Sequence, residues 1–307
     1  MSDMRGRHLA LPLVLICLLG GACARLQNVV GLPTTPPSPN PTTAIAVSVL
    51  ADSVYIFDPS NGAQKTLAMG LQDFQSGFAT WAPDHVHLAY GDAGILVLNA
   101  SGGKASSLNR GQSLSMPAWS PDGKRIAYGD GLNLWVTSAT TSAPVKLTLP
   151  NTLSPQSMDW TPGRDIVFQG LRLDCNIPGP CLSTDESDIW AIGSDGSGLR
   201  QITHLAHAQS PKWSPDGSRI LFIRTLLLKK QRVREIWSVR PDGAGLRRLT
   251  GATGVLTADW SPDGQQVAMV QAGKVTGTLE IWIAATNGTN LHLVGNPFPG
   301  ADASIDW

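Results

Sequence analysis

The pentapeptide Trp-Ser-Pro-Asp-Gly occurs three times in this chain, at Trp119 to Gly123, Trp213 to Gly217 and Trp260 to Gly264. Altered copies begin at Trp81 and Trp160, and the chain as given ends on Trp307. A fixed period limits the fold more than any composition, because each repeat is one unit that buries its apolar face only by packing on its neighbours. After each Pro-Asp-Gly turn comes a short apolar strand, as in Arg219-Ile-Leu-Phe222 and Gln266-Val-Ala-Met269. A second strand carries Trp135, Trp190, Trp237 or Trp282, a Gly-containing turn follows in most copies, and a last strand ends near Leu-Thr. Proline sets φ at the first corner of the turn, Asp tolerates the second, and Gly takes the positive φ that ends it. Four short strands per unit with tight turns between them define a propeller blade.

The segment from Thr43 to Gly70 holds three strands and no preceding Trp strand, whereas Ala303 to Trp307 is a Trp strand with nothing after it. One blade is therefore shared between the two ends. Residues 44–307 give an average of ~44 residues for each of six units, within the range of propeller repeats. The expected fold is all-β: a six-bladed β-propeller of four-stranded antiparallel blades, closed by the C-terminal strand joining the N-terminal blade. The ten Trp fit this plan, six ending innermost strands and four on third strands. Such regular spacing assigns the rings to packing between blades rather than to ligand binding.

The pattern Trp-Ser-Pro-Asp-Gly, apolar strand, Ile-Trp, Asp-Gly, Leu-Thr resembles the TolB-type propeller repeat, most closely in Trp213 to Thr250 and Trp260 to Val294. The resemblance covers residues 44–307. It implies the propeller fold and an envelope setting with protein partners. It departs from TolB, which carries an α/β domain ahead of its propeller where this sequence shows only a tether. It departs too from the prolyl-oligopeptidase group, whose repeats precede a hydrolase domain.

Residues 1–22 read as a signal peptide, with Arg5 and Arg7 ahead of the apolar run Leu9 to Leu19. Gly20-Gly21-Ala22-Cys23 resembles a bacterial lipobox, although Gly20 stands where the family usually has Leu. It implies lipidation at Cys23, with secretory cleavage as the alternative. Residues 23–43, rich in Pro and Thr, form a semi-rigid tether. The expected location is extracytoplasmic, on a membrane through the lipid anchor. Lys and Arg total 23 against 23 Asp and Glu, and this lack of basic excess argues against a nucleic-acid partner. In an oxidising compartment Cys175 and Cys181 read as a disulfide closing a small loop.

The second-to-third loops and blade connections share the face around the channel mouth, where binding evolves. The loop 170–187 carries Asp185 and Glu186; the loop 224–235 carries Lys229, Lys230, Arg232 and Arg234. These six are the candidate rim for an envelope protein or peptide partner, the alternative being that the two loops pair with each other. Asp159, Asp259 and Asp306 each precede a blade Trp, with Lys212 at the same place in another blade. They read as interblade or turn hydrogen-bond acceptors, with a cation site as the alternative. His204 and His207, three apart, are the remaining candidate metal ligands. No GxSxG elbow, HExxH or phosphate-cradling loop occurs. The reading is a non-catalytic binding scaffold with no cofactor; the alternative is a channel-metal enzyme of carbohydrate-lyase or lactonase type. That alternative requires the histidines and two of the aspartates to converge.

Overall fold

In the computed structural model the described residues are 43–49, 54–67, 78–92, 94–100, 106–110, 116–141, 143–161, 163, 165–175, 182–250 and 254–307, all within the unit Pro36–Trp307. The signal-peptide and lipidation readings, the tether up to residue 42, and Cys181 lie outside them.

The first blade takes β1 (Ile45–Val49), β2 (Val54–Phe57) and β3 (Gln64–Leu67) from the N-terminal side. The second holds β4 (Phe78–Trp81), β5 (His87–Asp92), β6 (Gly94–Asn99) and β7 (Ser106–Arg110). The third holds β8 (Ala118–Trp119), β9 (Arg125–Gly129), β10 (Leu134–Ser138) and β11 (Val145–Leu147). The fourth has β12 (Leu153–Trp160), β13 (Ile166–Asp174), β14 (Leu182–Ile192) and β15 (Arg200–Gln201). In the fifth are β16 (Ala208–Trp213), β17 (Ile220–Leu228), β18 (Gln231–Val239) and β19 (Arg247–Arg248). The sixth has β20 (Val255–Trp260), β21 (Gln266–Ala272), β22 (Thr278–Ala285) and β23 (His292–Pro299), and β24 (Ala303–Asp306) follows. Each blade is a four-stranded sheet with antiparallel pairing, and the first reads β24-β1-β2-β3 from inside outward. The ring closes where the sequence places the closure, with Ala46 opposite Asp306 and Val49 opposite Ala303.

The core sits between blades. Six buried clusters occur among the described residues, one at each blade–blade interface. Side chains alternate along a strand, so β13 sends Ile166 and Phe168 toward the third blade and Val167 toward the fifth. The Trp ending each innermost strand packs against the preceding blade. Trp119, Trp213, Trp260 and Trp307 also donate their indole N–H to carbonyls of Thr80, Asp165, Lys212 and Thr43 at 3.0–3.3 Å.

The Trp-Ser-Pro-Asp-Gly turn depends on its Ser as much as on its Pro and Gly. Gly123, Gly217 and Gly264 have φ of 65–68° and donate to the Ser carbonyl at 2.8 Å. The Ser hydroxyl donates to the Asp carboxylate and accepts from the N–H five residues on, as in Ser214 to Asp216 (2.6 Å) and Arg219 to Ser214 (2.9 Å).

The segments read as loops 170–187 and 224–235 are largely strand. β13 and β14 pair as far as Asp174 and Leu182, and β17 and β18 pair as far as Leu228 and Gln231. The register continues without a shift from Ile220 opposite Val239 to Leu228 opposite Gln231, so the ladder runs on past the blade. Two extended hairpins therefore stand where loops were expected.

Candidate functional site: a channel with a polar mouth and a charged floor

The innermost strands begin on the face of the blade connections and end at the Trp turns. At the first end all six blades line a cavity of about 410 Å³. Its walls are mainly neutral and polar, with Gln156, Ser157, Gln209, Ser210, Thr257 and Ser304 among them, and Arg234 reaches its edge. β12, β16 and β20 each carry a register shift here, between Pro155 and Met158, Gln209 and Lys212, and Val255 and Thr257. Bulges re-aim side chains locally, and these three lie in consecutive blades at the channel mouth.

At the other end of the channel the recurring aspartates meet Lys212. Its Nζ lies 3.0 Å from Asp259 and also bonds Asp306, with Lys212 and Asp259 both under 10% exposed. The same aspartates accept backbone hydrogen bonds from the Trp of the next blade: Trp213 to Asp159 (2.7 Å), Trp307 to Asp259 (3.1 Å) and Trp81 to Asp306 (2.6 Å). In the fifth blade Lys212 cannot accept, and Trp260 N–H turns to its own neighbour Asp259 at 2.7 Å. Burial opposes the charge on Lys212, but Asp259, Asp306 and Asp159 outweigh it and raise its pKa above the usual lysine value. Burial first, and then the companion carboxylates, pushes Asp259 up to about 8 and raises Asp159 as well, despite the ammonium. An ammonium thus sits among these carboxylates, paired with Asp259 and Asp306.

His204 and His207 do not join this cluster. They precede β16, and Lys212 stands near its far end, roughly 15 Å along the strand at ~3.3 Å per residue. Both side chains are exposed, and among the described residues no three His, Cys, Asp or Glu come together to hold a metal ion. Among the described residues the histidines and aspartates do not converge as the channel-metal alternative requires, because the histidines precede β16 while the aspartates of β12, β20 and β24 gather around Lys212 near its other end.

The rim residues separate into distinct environments. Lys229 and Lys230 form the two-residue turn of the β17–β18 hairpin, both left-handed with φ of 48° and 66°. Arg232 follows on the exposed flank, beside Leu227, 71% exposed, and Leu228. None of Lys229, Lys230, Arg232 or Arg234 forms an ion pair among the described residues. Asp185 is exposed with φ of 61°, and Glu186 pairs with Arg172 of its own hairpin at 3.2 Å. Among the described residues no ion pair joins Asp185 or Glu186 to these four cations. Cys175 is disulfide-bonded at the far end of β13.

Sequence reasoning missed the central place of Lys212, whose signal was one cation at a position that three other blades fill with Asp. It also missed the channel glutamines, which no motif marks.

These features define a closed six-bladed propeller whose channel is open and polar at one end and pinned by an ion cluster at the other. No family model matches the chain, and no curated protein does. Among solved structures, TolB from Acinetobacter baumannii is similar at 17% identity and a TM-score of 0.64, over 89% of this chain and 68% of that one. A TolB protein from Agrobacterium tumefaciens is similar at 20% identity and a TM-score of 0.61, over 84% of this chain and 90% of that one. A chain of a nidogen/laminin complex matches at 10% identity and a TM-score of 0.64, over 85% and 97%. An oligogalacturonate lyase from Vibrio parahaemolyticus matches at 17% and 0.53, over 82% and 74%. The TolB-like propeller fold is shared at this level of identity.

Proposed function

We propose that this chain is a non-catalytic binding scaffold of the cell envelope, held extracytoplasmically on a membrane by a lipid on Cys23. Its partner is a protein or peptide segment seated at the channel mouth. The observation that carries the reading is the β17–β18 hairpin, with exposed Leu227 and Leu228 beside Lys229, Lys230 and Arg232, which form no ion pair among the described residues. Two adjacent exposed leucines in a field of uncompensated cations suit an amphipathic acidic partner segment. The closed ring presents this hairpin at little ordering cost, which favours affinity. The TolB-like fold supports an envelope setting.

The test is removal of Leu226–Val233, with the shortened strands joined by Asn-Gly, a sequence suited to a two-residue hairpin turn. The blade should keep its melting temperature, since the removed residues are largely exposed, while co-purification of the envelope partner is lost. Undiminished partner recovery from the trimmed protein refutes the assignment of this face.

A further inference from the structure

The third-strand Trp is treated alike in three blades and differently in the fourth. In the third blade Trp135 donates its indole N–H to Asp130 at 2.7 Å. In the fifth and sixth, Trp237 and Trp282 donate to Glu235 and Glu280 at 3.0 Å. These two acceptors stand two residues before their Trp, and Asp188 holds that place before Trp190. Its carboxylate is instead taken up by the Thr203 hydroxyl (2.7 Å) and by the N–H groups of Leu205 (2.7 Å) and Ala206 (3.4 Å), with the Gln201 amide at 3.2 Å. Trp190 Nε1 has no hydrogen-bond acceptor among the described residues.

A second departure lies on the facing strand. Arg224 stands two residues beyond the partner of Trp237 and sits over its ring at 4.9 Å. Asp130 and Gln271 hold that position opposite Trp135 and Trp282. Opposite Trp190 it is Gly170, and a Cβ there would come within 2.5 Å of the indole Cδ1 and 2.8 Å of Nε1. The side chain that would cover the ring is missing and the acceptor that would satisfy it is diverted. The result is a recess of about 330 Å³ beside the tall β13–β14 hairpin. Leu153, Arg172, Glu186 and Gln201 are among its walls, which mix charged, polar and apolar side chains. That volume lies at the lower end of the ~300–1,000 Å³ typical of small-ligand sites.

We infer that this recess binds a neutral saccharide, with the Trp190 indole N–H as donor and with Glu186, Arg172 and Gln201 as hydroxyl partners. The chemistry discriminates among ligands. Arg172 is already matched by Glu186, so Asp188 leaves the site with negative charge that disfavours an anion. The indole presents its N–H edge, the positive side of the ring quadrupole, which disfavours a cation and seeks an oxygen. A mixed wall of donors, acceptors and apolar carbons suits a ligand carrying hydroxyls on a carbon ring. The site is separate from the β17–β18 hairpin and does not depend on the partner proposed there.

The test is saturation-transfer NMR on the full chain with cellobiose, maltose and N,N′-diacetylchitobiose, with digalacturonate and choline as charged controls. At least one neutral disaccharide should bind, and more tightly than either control. Trp190→Ala should weaken it at least tenfold, Trp190→Phe by less, and Trp237→Phe should leave it unchanged. Gly170→Arg, which copies the fifth blade, should also abolish binding. Since that variant crowds Leu153, a second measurement uses unmutated protein labelled with 5-fluorotryptophan. The resonance that disappears in Trp190→Phe should be the one that shifts on titration. The inference is overturned if none of the three sugars binds, if Trp190→Ala binds equally well, or if the shifting resonance belongs to another Trp.

Discussion

Replacing Lys212 by Met removes the cation paired with Asp259 and Asp306 at the channel floor while keeping most of the side-chain volume. Asp159, Asp259 and Asp306 would then face one another in a site where Lys212 and Asp259 are already buried. Breaking a buried ion pair by removing one partner costs about 3–5 kcal/mol, because an uncompensated charge stays behind. At roughly 2–4 °C per kcal/mol for a domain of this size, the melting temperature should fall by on the order of 10 °C at pH 8. The pH dependence sharpens the test. Asp259, at about 8 in the folded protein against 3.8 ordinarily, binds a proton in the folded state that the unfolded chain lacks between those values. Its contribution is therefore present at low pH and lost as pH rises through 8, and the native protein should melt higher at pH 5 than at pH 8. Without Lys212 the carboxylates depend on protonation alone, so the deficit of the variant should shrink at pH 5. Calorimetric melts of both proteins at the two pH values check this. A variant within about 2 °C of the native protein at pH 8, or a deficit equal at both pH values, refutes the reasoning.

Other expectations follow from the same geometry. Asp159→Asn keeps an acceptor for Trp213 N–H and removes a charge that burial already disfavours, so its melting temperature at pH 8 should stay near the native value. Asp159→Ala leaves that N–H unpaired and should cost about 1–3 kcal/mol by denaturant titration. Ser261→Ala removes the hydroxyl that, ahead of the Gln265 N–H, holds the Asp263 carboxyl below its usual range, so Asp263 should titrate at higher pH by NMR. The same change takes an acceptor from Gln266 N–H and should cost about 1 kcal/mol. Because the Lys212 ammonium already sits among the channel carboxylates, calcium, zinc or manganese should leave the melting temperature unchanged. A clear upward shift lost on His207→Ala would contradict that assignment. Deleting Ala303–Trp307 exposes the inner edge of β1 and removes Asp306, and should abolish a cooperative melt.

The fold was legible because each blade writes the same instructions. A Pro-Asp-Gly turn, an alternating strand and a Trp at fixed spacing recur until the only open question is closure, which the unmatched strands at Ile45 and Ala303 answer. The ion cluster was half legible. The recurrence of Asp159, Asp259 and Asp306 placed them at one level, but only the ring brings Lys212 from a fourth blade among them. Spacing between His204 and His207 suggested ligands, yet sequence distance hides that they stand at the end of β16 away from Lys212 and the aspartates around it. The recess at Trp190 was invisible for a different reason. Regularity assigned all ten rings to packing, and Trp190 does pack on the cluster between the third and fourth blades; it differs through what it lacks, namely an acceptor among the described residues and the side chain that Gly170 does not supply. Extended hairpins were mistaken for loops because charged residues on a two-sided solvated strand resemble loop composition.

The central claim, that the face carrying the β17–β18 hairpin receives an envelope partner, is tested most directly by photo-crosslinking in intact cells. A photoreactive amino acid placed at Leu227 should yield a discrete crosslinked species, weakened by reversing the charges of Lys229, Lys230 and Arg232. The same probe at Ser218, in a turn on the opposite face, should yield none. A species captured from Ser218 but not from Leu227, or one from Leu227 indifferent to the charge reversal, would contradict the account.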